Sequence, residues 1–409
     1  MNHRILIIAH AHPDFSMGGA EMAAYQFYKA AAARSDVESA TFLAAHGRFS
    51  SGSIRLRREN EYLWEQNTSG SFQFQGSNRH ATLTAFRALI EHIRPTIVYM
   101  HHYIFLGLEC LRVIKDVDPS IKIIVTLHEM LAICNNNGQM VKTESLRLCE
   151  RETPEDCHRC FSHATPESFW LRKQFIMSYF DLVDHFVTPS TFLKDRYVAW
   201  GIASDRITMI ENGQSSMAPL PPRTLLANQK RSRFAFFGQV NPYKGVDILL
   251  EALTLIQKQD QKYVSVEIHG ANLEHQSLEF QKKINELREP LEGSGLLRWV
   301  GPYTREDLPK RMERIDWLLV PSVWWENSPM VIQEAFALGR PVICSGIGGM
   351  AEKVRHGVDG WHVQAKNRHE WADTLVQLGR DVDIWDKLHE GIQKPITYND
   401  CVTAHFELC

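Results

Sequence analysis

Two glutamates, Glu326 and Glu334, lie in the block PSVWWENSPMVIQEAFALGRPVICSGIGGMAE from Pro321 to Glu352, on either side of a stretch that reads as the start of a helix. Ser328 suits a helix cap, Pro329 the first helical position and Gly339 the place just past the helix end. A helix N-terminus presents unpaired amides and the positive end of the helix dipole, which suits a phosphate or diphosphate. Flanking carboxylates accept hydrogen bonds from hydroxyl groups, so sugar or ribose hydroxyls are natural partners. The spacing alone is weak, because Glu144 and Glu152 share it without a strand before a helix; solvated helix charges are the plain alternative. Gly346, Gly348 and Gly349 follow the next apolar run, where a missing side chain lets backbone amides approach a ligand or simply make a turn.

A second candidate lies in FFGQVNPYKGVDILLEAL, where an apolar run leads to Gly238 and then to Lys244 and Gly245 at the start of a helix. A lysine there supplies a point charge to a diphosphate, worth about 1.5 to 3 kcal/mol for a charge-assisted hydrogen bond, or is a surface lysine. His128 ends an apolar run in the first half. As a neutral imidazole it would hydrogen-bond a hydroxyl, and its reference pKa of about 6.5 leaves either charge state open. Gly18 and Gly19 open the first crossover helix, with amides available to a phosphate or an acceptor.

Other groups imitate sites. Asp116-Val-Asp118 and Asp381-Val-Asp383 resemble a metal-binding DxD pair, but one sits in a turn before Pro119 and the other between helices, so both read as solvated charges. AHPDF (11–15) resembles a zinc-dependent deacetylase motif, with His10, His12 and Asp14 as ligand types. Phe15 stands where a second acid is needed. Cys134, Cys149, Cys157 and Cys160 fall in one segment with irregular spacing, so a structural zinc and unligated thiols both remain open.

The elements that must hold these residues alternate between strand-like runs and amphipathic helices. The runs are Arg4 to Ala9, Thr96 to Met100, Ile121 to Leu127, Asp184 to Val187 and Ile207 to Ile210 in the first half. In the second they are Phe234 to Phe237, Val264 to His269, Leu297 to Val300, Trp317 to Pro321 and Pro341 to Cys344. Such alternation predicts parallel sheets with crossover helices, and ligands then bind beyond the carboxyl ends of the strands. The expected domains are 1–212, a proline-bearing linker over 213–232, a second α/β domain over 233–380 and a helical tail over 381–409, with the site in a cleft between the domains. Residues 46–80, rich in Ser, Gly, Asn and Arg, read as a loop over that cleft.

On these residues the chain resembles retaining glycosyltransferases of family 4, whose GT-B fold has two Rossmann-like doubly wound domains facing across a cleft. The resemblance covers MGGAE (17–21), TLHE (126–129), TPSTFLKDRYVAWGI (188–202), IENG (210–213), GQVNPYKG (238–245), the 321–352 block and DGWHV (359–363). It implies that Glu326 and His128 face the transferred sugar as catalytic residues. Gly18, Gly19, Gln239, Lys244, Ser328, Met330 and Glu334 would bind the donor, Lys244 at the diphosphate and Glu334 at the ribose. The family usually has Arg at Gln239 and Gly at Pro329, so this is a variant diphosphate site. The implied activity is metal-independent transfer from a nucleoside-diphosphate sugar, which is a substrate and no cofactor, to a glycan or lipid-linked acceptor in surface polysaccharide biosynthesis. Two other readings remain: a non-catalytic glycan-binding partner and a GT-B nucleotide-sugar epimerase.

Composition sets the outer limits. With 409 residues, 44% of them apolar and 23% charged, the chain has the make-up of a folded protein of two or three domains. The net charge of −3 provides no general field for nucleic acid. No apolar run reaches the roughly 18 to 20 residues that span a bilayer, and eight cysteines are too few for a disulfide scaffold. The expected location is the cytoplasm, with peripheral contact at the inner membrane face. PESFWLRKQFIMSYF (166–180) offers either a face for a lipid-linked acceptor or a core helix with a basic edge. RLRREN (55–60) adds local positive charge suited to an acceptor phosphate.

Overall fold

The computed structural model describes residues 3–16, 18–46, 51–66, 72–76 and 79–409. Met17 of the MGGAE motif, and residues 47–50, 67–71 and 77–78 of the expected loop, lie outside the described residues. The chain divides into two compact units, Met1–Gly213 with Ile396–Cys409, and Gln214–Pro395.

The first unit carries β1 (His3–Ala9), β2 (Val37–Ala45), β3 (Ile54–Arg58), β4 (Glu61–Trp64), β5 (Ile97–Met100), β6 (Lys122–Thr126), β7 (His185–Thr188) and β8 (Ile207–Met209). They form one sheet in the order β3-β4-β2-β1-β5-β6-β7-β8. All neighbours are parallel except the β3/β4 hairpin. Residues Ile5 to Ala9 have no exposed surface. That continuous burial is why β1 reads as an unbroken apolar run rather than an alternating one. The strand order reverses direction between β1 and β5, which makes the carboxyl ends of these two strands the natural ligand position in this unit.

Three of these strands were not anticipated. Part of the expected loop over 46–80 is the β3/β4 hairpin. The sequence IRLRR of β3 is exposed along most of its length because it is the sheet edge, and charged edge strands resist pairing with other chains. Its charges also have partners: Arg57 Nη2 lies 3.2 Å from Asp14, and Arg58 pairs with both Asp14 and Glu61.

The second unit carries β9 (Arg233–Gln239), β10 (Ser265–Ala271), β11 (Leu297–Trp299), β12 (Trp317–Val320), β13 (Val342–Ser345) and β14 (Gly360–Val363). All pairs are parallel, in the order β11-β10-β9-β12-β13-β14. Alternate side chains serve opposite faces. Phe234, Phe236, Trp317 and Leu319 enter one buried cluster, while Ala235, Phe237, Leu318 and Val320 enter the other. Both faces are thus covered, as a doubly wound sheet requires.

The stretch expected as a linker is largely fastened to the second unit. Arg223 and Arg231 reach the fully buried Asp316 at 2.8 and 3.4 Å, and the Arg231 carbonyl accepts from Trp317 Nε1 at 2.6 Å. Residues 381–409 do not form one tail. The helix Val382–Glu390 stays with the second unit, where buried Trp385 donates to the Asp316 carbonyl at 2.8 Å. The helix Tyr398–Phe406 joins the first unit, with Cys401 and Val402 in its core and His405 against Phe27. No helix among the described residues is long and apolar enough to cross a membrane.

Candidate functional site

In the second unit the order of strands reverses between β9 and β12, so the loops leaving these two strands border the crevice at the switch point. Lys244 stands on the first loop and Glu326 on the second. The Asn241 carboxamide oxygen accepts from the amides of Tyr243 (3.0 Å) and Lys244 (3.2 Å), fixing the turn that carries the lysine. The loops are tied directly by Val323 N–H donating to the Tyr243 carbonyl at 2.9 Å. Gly245 completes the seam. Its φ is +68°, and a Cβ there would lie 2.0 Å from the Pro321 carbonyl oxygen. Gly245→Ala is expected to cost about 2 kcal/mol or more in stability, from left-handed strain and this clash together; urea midpoints of the two proteins would measure it.

The consequence of that seam is an ion pair. Lys244 Nζ lies 2.6 Å from Glu326 Oε1, and Ser322 Oγ (2.8 Å) and Trp324 Nε1 (2.9 Å) donate to the same oxygen. Glu326 is only 7% exposed. Burial alone would raise its pKa, yet the Lys244 charge and these hydrogen bonds outweigh burial and hold the carboxyl below its ordinary value. Its main chain is equally fixed, since Gly349 N–H donates to the Glu326 carbonyl at 2.8 Å. A Cβ on Gly349 would lie 1.5 Å from the Asn327 carbonyl oxygen. The glycines after β13 therefore support the Glu326 loop: the Gly349 amide is committed to it, and the Gly346 amide to Val363. The sequence leaves both readings open for these glycines, amides that approach a ligand or a simple turn.

The helix after Glu326 runs Met330–Ala337 and starts one residue later than its sequence suggests. Pro329 occupies the cap position, and among the described residues no side chain caps the helix. Ser328 is not the cap; its hydroxyl is buried and has no hydrogen-bond partner among the described residues. The fixed φ of proline accommodates the turn without a donor. The Met330 sulfur accepts from Gln214 Nε2 at 3.8 Å. Gln239 ends β9 and is exposed. Glu334 is partly buried on the helix, and burial, only partly offset by Arg305, pushes its pKa up to about 7.

The first unit assembles a different group around the ends of β1, β5 and β6. Gly18 caps the helix Gly19–Ala32, and a Cβ on Gly18 would strike the Glu21 carboxylate. Glu21 pairs with His10 at 3.3 Å and accepts from Ser16 Oγ at 2.7 Å. Burial works against its ionisation, but these contacts prevail and hold its pKa at about 2. His128 Nε2 lies 3.2 Å from His101 Nδ1. Burial, with His10 nearby, lowers the His128 pKa to about 3, so its imidazole is neutral at ordinary pH. His102 Nε2 lies 3.3 Å from Glu129, whose pKa burial raises to about 8. His101, His102, Glu21 and Glu129, like Ser322 and Trp324 in the second unit, were not singled out from sequence. The usable signal was position: Glu21 lies in the first turn of the helix that Gly18 caps, and the others sit at or just beyond strand ends.

The imitations resolve locally. Asp118 accepts from Ser120, and Asp381 caps the helix Val382–Glu390. His12 is fully buried and bonded to Glu61. Among the described residues no three His, Cys, Asp or Glu side chains are grouped to hold a metal ion, and Cys134, Cys149, Cys157 and Cys160 form no disulfide. In the helix Pro166–Phe180, Phe169, Ile176 and Phe180 face the core. Arg172, read as part of a basic edge, is buried and donates to the carbonyls of Phe72, Leu131 and Ala132 at 2.6 to 2.7 Å. Trp170 and Leu171 of the same helix are more than half exposed.

Comparisons with known proteins agree with this architecture. Residues 17–214 match the model described as Glycosyltransferase Family 4, and residues 222–393 the model described as Glycosyl transferases group 1. A D-inositol 3-phosphate glycosyltransferase of Salinispora arenicola is 28% identical over 217 residues, 52% of this chain and 48% of the relative. One of Corynebacterium urealyticum is 27% identical over 269 residues, 64% and 59%. The matches thus span roughly half to three-fifths of these curated relatives. Among solved structures, sucrose-phosphate synthase of Thermosynechococcus elongatus aligns with a TM-score of 0.71 at 15% identity, covering 99% of this chain and 98% of the other. Anabaena Alr3699/HepE in complex with UDP-glucose aligns at 0.63 and 17% identity, covering 99% and 100%. With a Glycosyltransferase Family 4 match over 17–214, a Glycosyl transferases group 1 match over 222–393 and structural neighbours of the same architecture, the chain joins one region of each glycosyltransferase family in a GT-B fold.

Proposed function

We propose that the chain transfers a hexose from a nucleoside-diphosphate sugar to a hydroxyl of a glycan or lipid-linked acceptor, with retention of anomeric configuration and without a metal ion. One observation carries this reading: the Lys244 ammonium and the Glu326 carboxylate meet at the switch point of the second sheet. An ammonium has three donor hydrogens, and Glu326 takes one. The remaining two, with the amides at the start of the Met330–Ala337 helix, would bind the diphosphate, supplying the charge compensation that a cation gives elsewhere. Glu334 would accept from the ribose and Glu326 from the sugar. The acceptor oxygen then attacks on the leaving-group side, and the departing phosphate oxygen takes its proton. The protein stabilises the developing charge without a nucleophile of its own.

The structural neighbours that hold UDP or UDP-glucose favour a uridine donor as the first to test. The names of the curated relatives favour a second acceptor class, a phosphorylated polyol. Surface polysaccharide biosynthesis on the cytoplasmic side remains our reading of the role, with Trp170 and Leu171 as the exposed apolar pair for peripheral membrane contact. Titration calorimetry against a set of nucleoside-diphosphate sugars, with EDTA present, tests the donor site. Lys244-dependent binding of one donor supports it. No binding to any donor overturns it in favour of a non-catalytic glycan-binding partner, and donor turnover without an acceptor favours an epimerase.

Glu334 adds a pH signature. Only its ionised form is a full acceptor for a ribose hydroxyl, and its pKa of about 7 means that this form grows as pH rises through neutrality. Affinity for an intact nucleotide sugar, which has no titrating phosphate in this range, should rise up to about tenfold from about pH 6 to pH 8. The Glu334→Gln variant should show a flat profile in the same calorimetric series.

A further inference from the structure

The hydrogen bonds that the described residues make to the Glu326 carboxylate have an asymmetry. Lys244, Ser322 and Trp324 all donate to Oε1, at 2.6, 2.8 and 2.9 Å, and none donates to Oε2. A carboxylate bound in this way cannot turn about its last bond without losing three contacts at once. From this geometry we infer that Trp324 is a positioning residue for catalysis: with Ser322 it locks Glu326 so that Oε2 is the oxygen presented to the sugar.

Trp324 is suited to the task by its own surroundings. Its ring lies 5.8 Å from that of Tyr243 and 6.0 Å from the Lys244 ammonium, so one side chain touches both loops that leave β9 and β12. An indole N–H only donates. It cannot reverse the polarity of the contact, whereas a hydroxyl such as Ser322 can. The charged group facing Glu326 is Lys244; Ser322 and Trp324 are its neutral donors. Lys244 is expected to engage the diphosphate when donor binds, and its own hydrogen bond to Glu326 then competes with phosphate oxygens. Trp324 has no such second duty, so it holds the carboxylate through the reaction.

This inference rests on the proposed role of Glu326 at the donor sugar, and the test separates the two. Trp324→Phe keeps a ring beside Tyr243 and removes the N–H; Ser322→Ala removes the other neutral donor with little change in volume. Each is measured beside Glu326→Gln for kcat, donor Kd and the pH profile of kcat. The expected result for Trp324→Phe is a loss of about tenfold or more in kcat with donor Kd within about threefold. The acidic limb should also move up by about one pH unit, because a lost hydrogen bond to the charged form makes the carboxylate easier to protonate. Ser322→Ala should move the limb in the same direction. If Glu326→Gln is inactive while Trp324→Phe and Ser322→Ala keep the wild-type kcat and limb, the positioning role is wrong. If Glu326→Gln is itself fully active, the underlying reading of Glu326 fails instead.

Discussion

Glu326→Gln is expected to lower kcat by roughly 10² or more while donor binding stays as tight or becomes tighter. The two halves of this result have separate causes. Glutamine preserves the volume of the side chain, and its carbonyl oxygen still accepts from Ser322 and Trp324 in the position of Oε1. The other terminal atom becomes an NH₂ group, which donates where the carboxylate accepted. A sugar hydroxyl that strengthens its bond to Oε2 as positive charge develops on the ring loses that partner, so the loss falls on the transition state and appears in kcat. Lys244, 2.6 Å from Oε1 in the wild type, loses its counter-charge. Its attraction for the diphosphate then grows. Steady-state kinetics and calorimetry with the intact nucleotide sugar on the same preparation provide the check. A fall in affinity with unchanged kcat would assign Glu326 to uniform binding of the donor rather than to the reaction.

The Lys244 and Glu326 loops were legible in the sequence because each follows a strand that is buried on both faces, and such strands announce themselves as apolar runs. Phe234 to Phe237 and Trp317 to Val320 supply side chains to both cores, so no solvent-facing residue interrupts either run. The strand order could not be read this way. That β9 and β12 are neighbours follows from pairing across 80 residues or so, and periodicity carries no long-range information. The edge hairpin was missed for the opposite reason. Ile54–Arg58 is exposed and charged, and its pairing with β4 is made by backbone groups that leave no trace in composition. Ser328 was misjudged on residue type: a serine before a proline resembles a cap, but the proline itself holds the cap position. Trp324 was missed because an aromatic beside a strand end reads as core. Its function lies in the single polar atom that a pattern of apolar residues ignores.

Lys244→Ala should weaken donor binding by roughly 10 to 150-fold, the equivalent of about 1.5 to 3 kcal/mol for a lost charged hydrogen bond. It should also destabilise the protein. Glu326 is left as a buried carboxylate with two neutral donors and no counter-charge, and breaking a fully buried pair costs about 3 to 5 kcal/mol. Lys244 retains 29% of its side-chain exposure, so water screens part of the interaction and the cost should fall below that range. The pH dependence identifies the source. In the wild type the Glu326 pKa is depressed, and the stability this confers is present above the ordinary carboxylate range and lost as pH falls through the depressed value. In the variant burial prevails and the pKa rises, so the destabilisation is greatest at neutral and alkaline pH and shrinks as the carboxyl is protonated. Combining Lys244→Ala with Glu326→Gln removes the uncompensated charge and should restore most of the urea midpoint while leaving donor binding as weak as in Lys244→Ala alone. Recovery of both properties together would mean that Lys244 serves only to neutralise Glu326, and the diphosphate would have to be held by the helix amides without it.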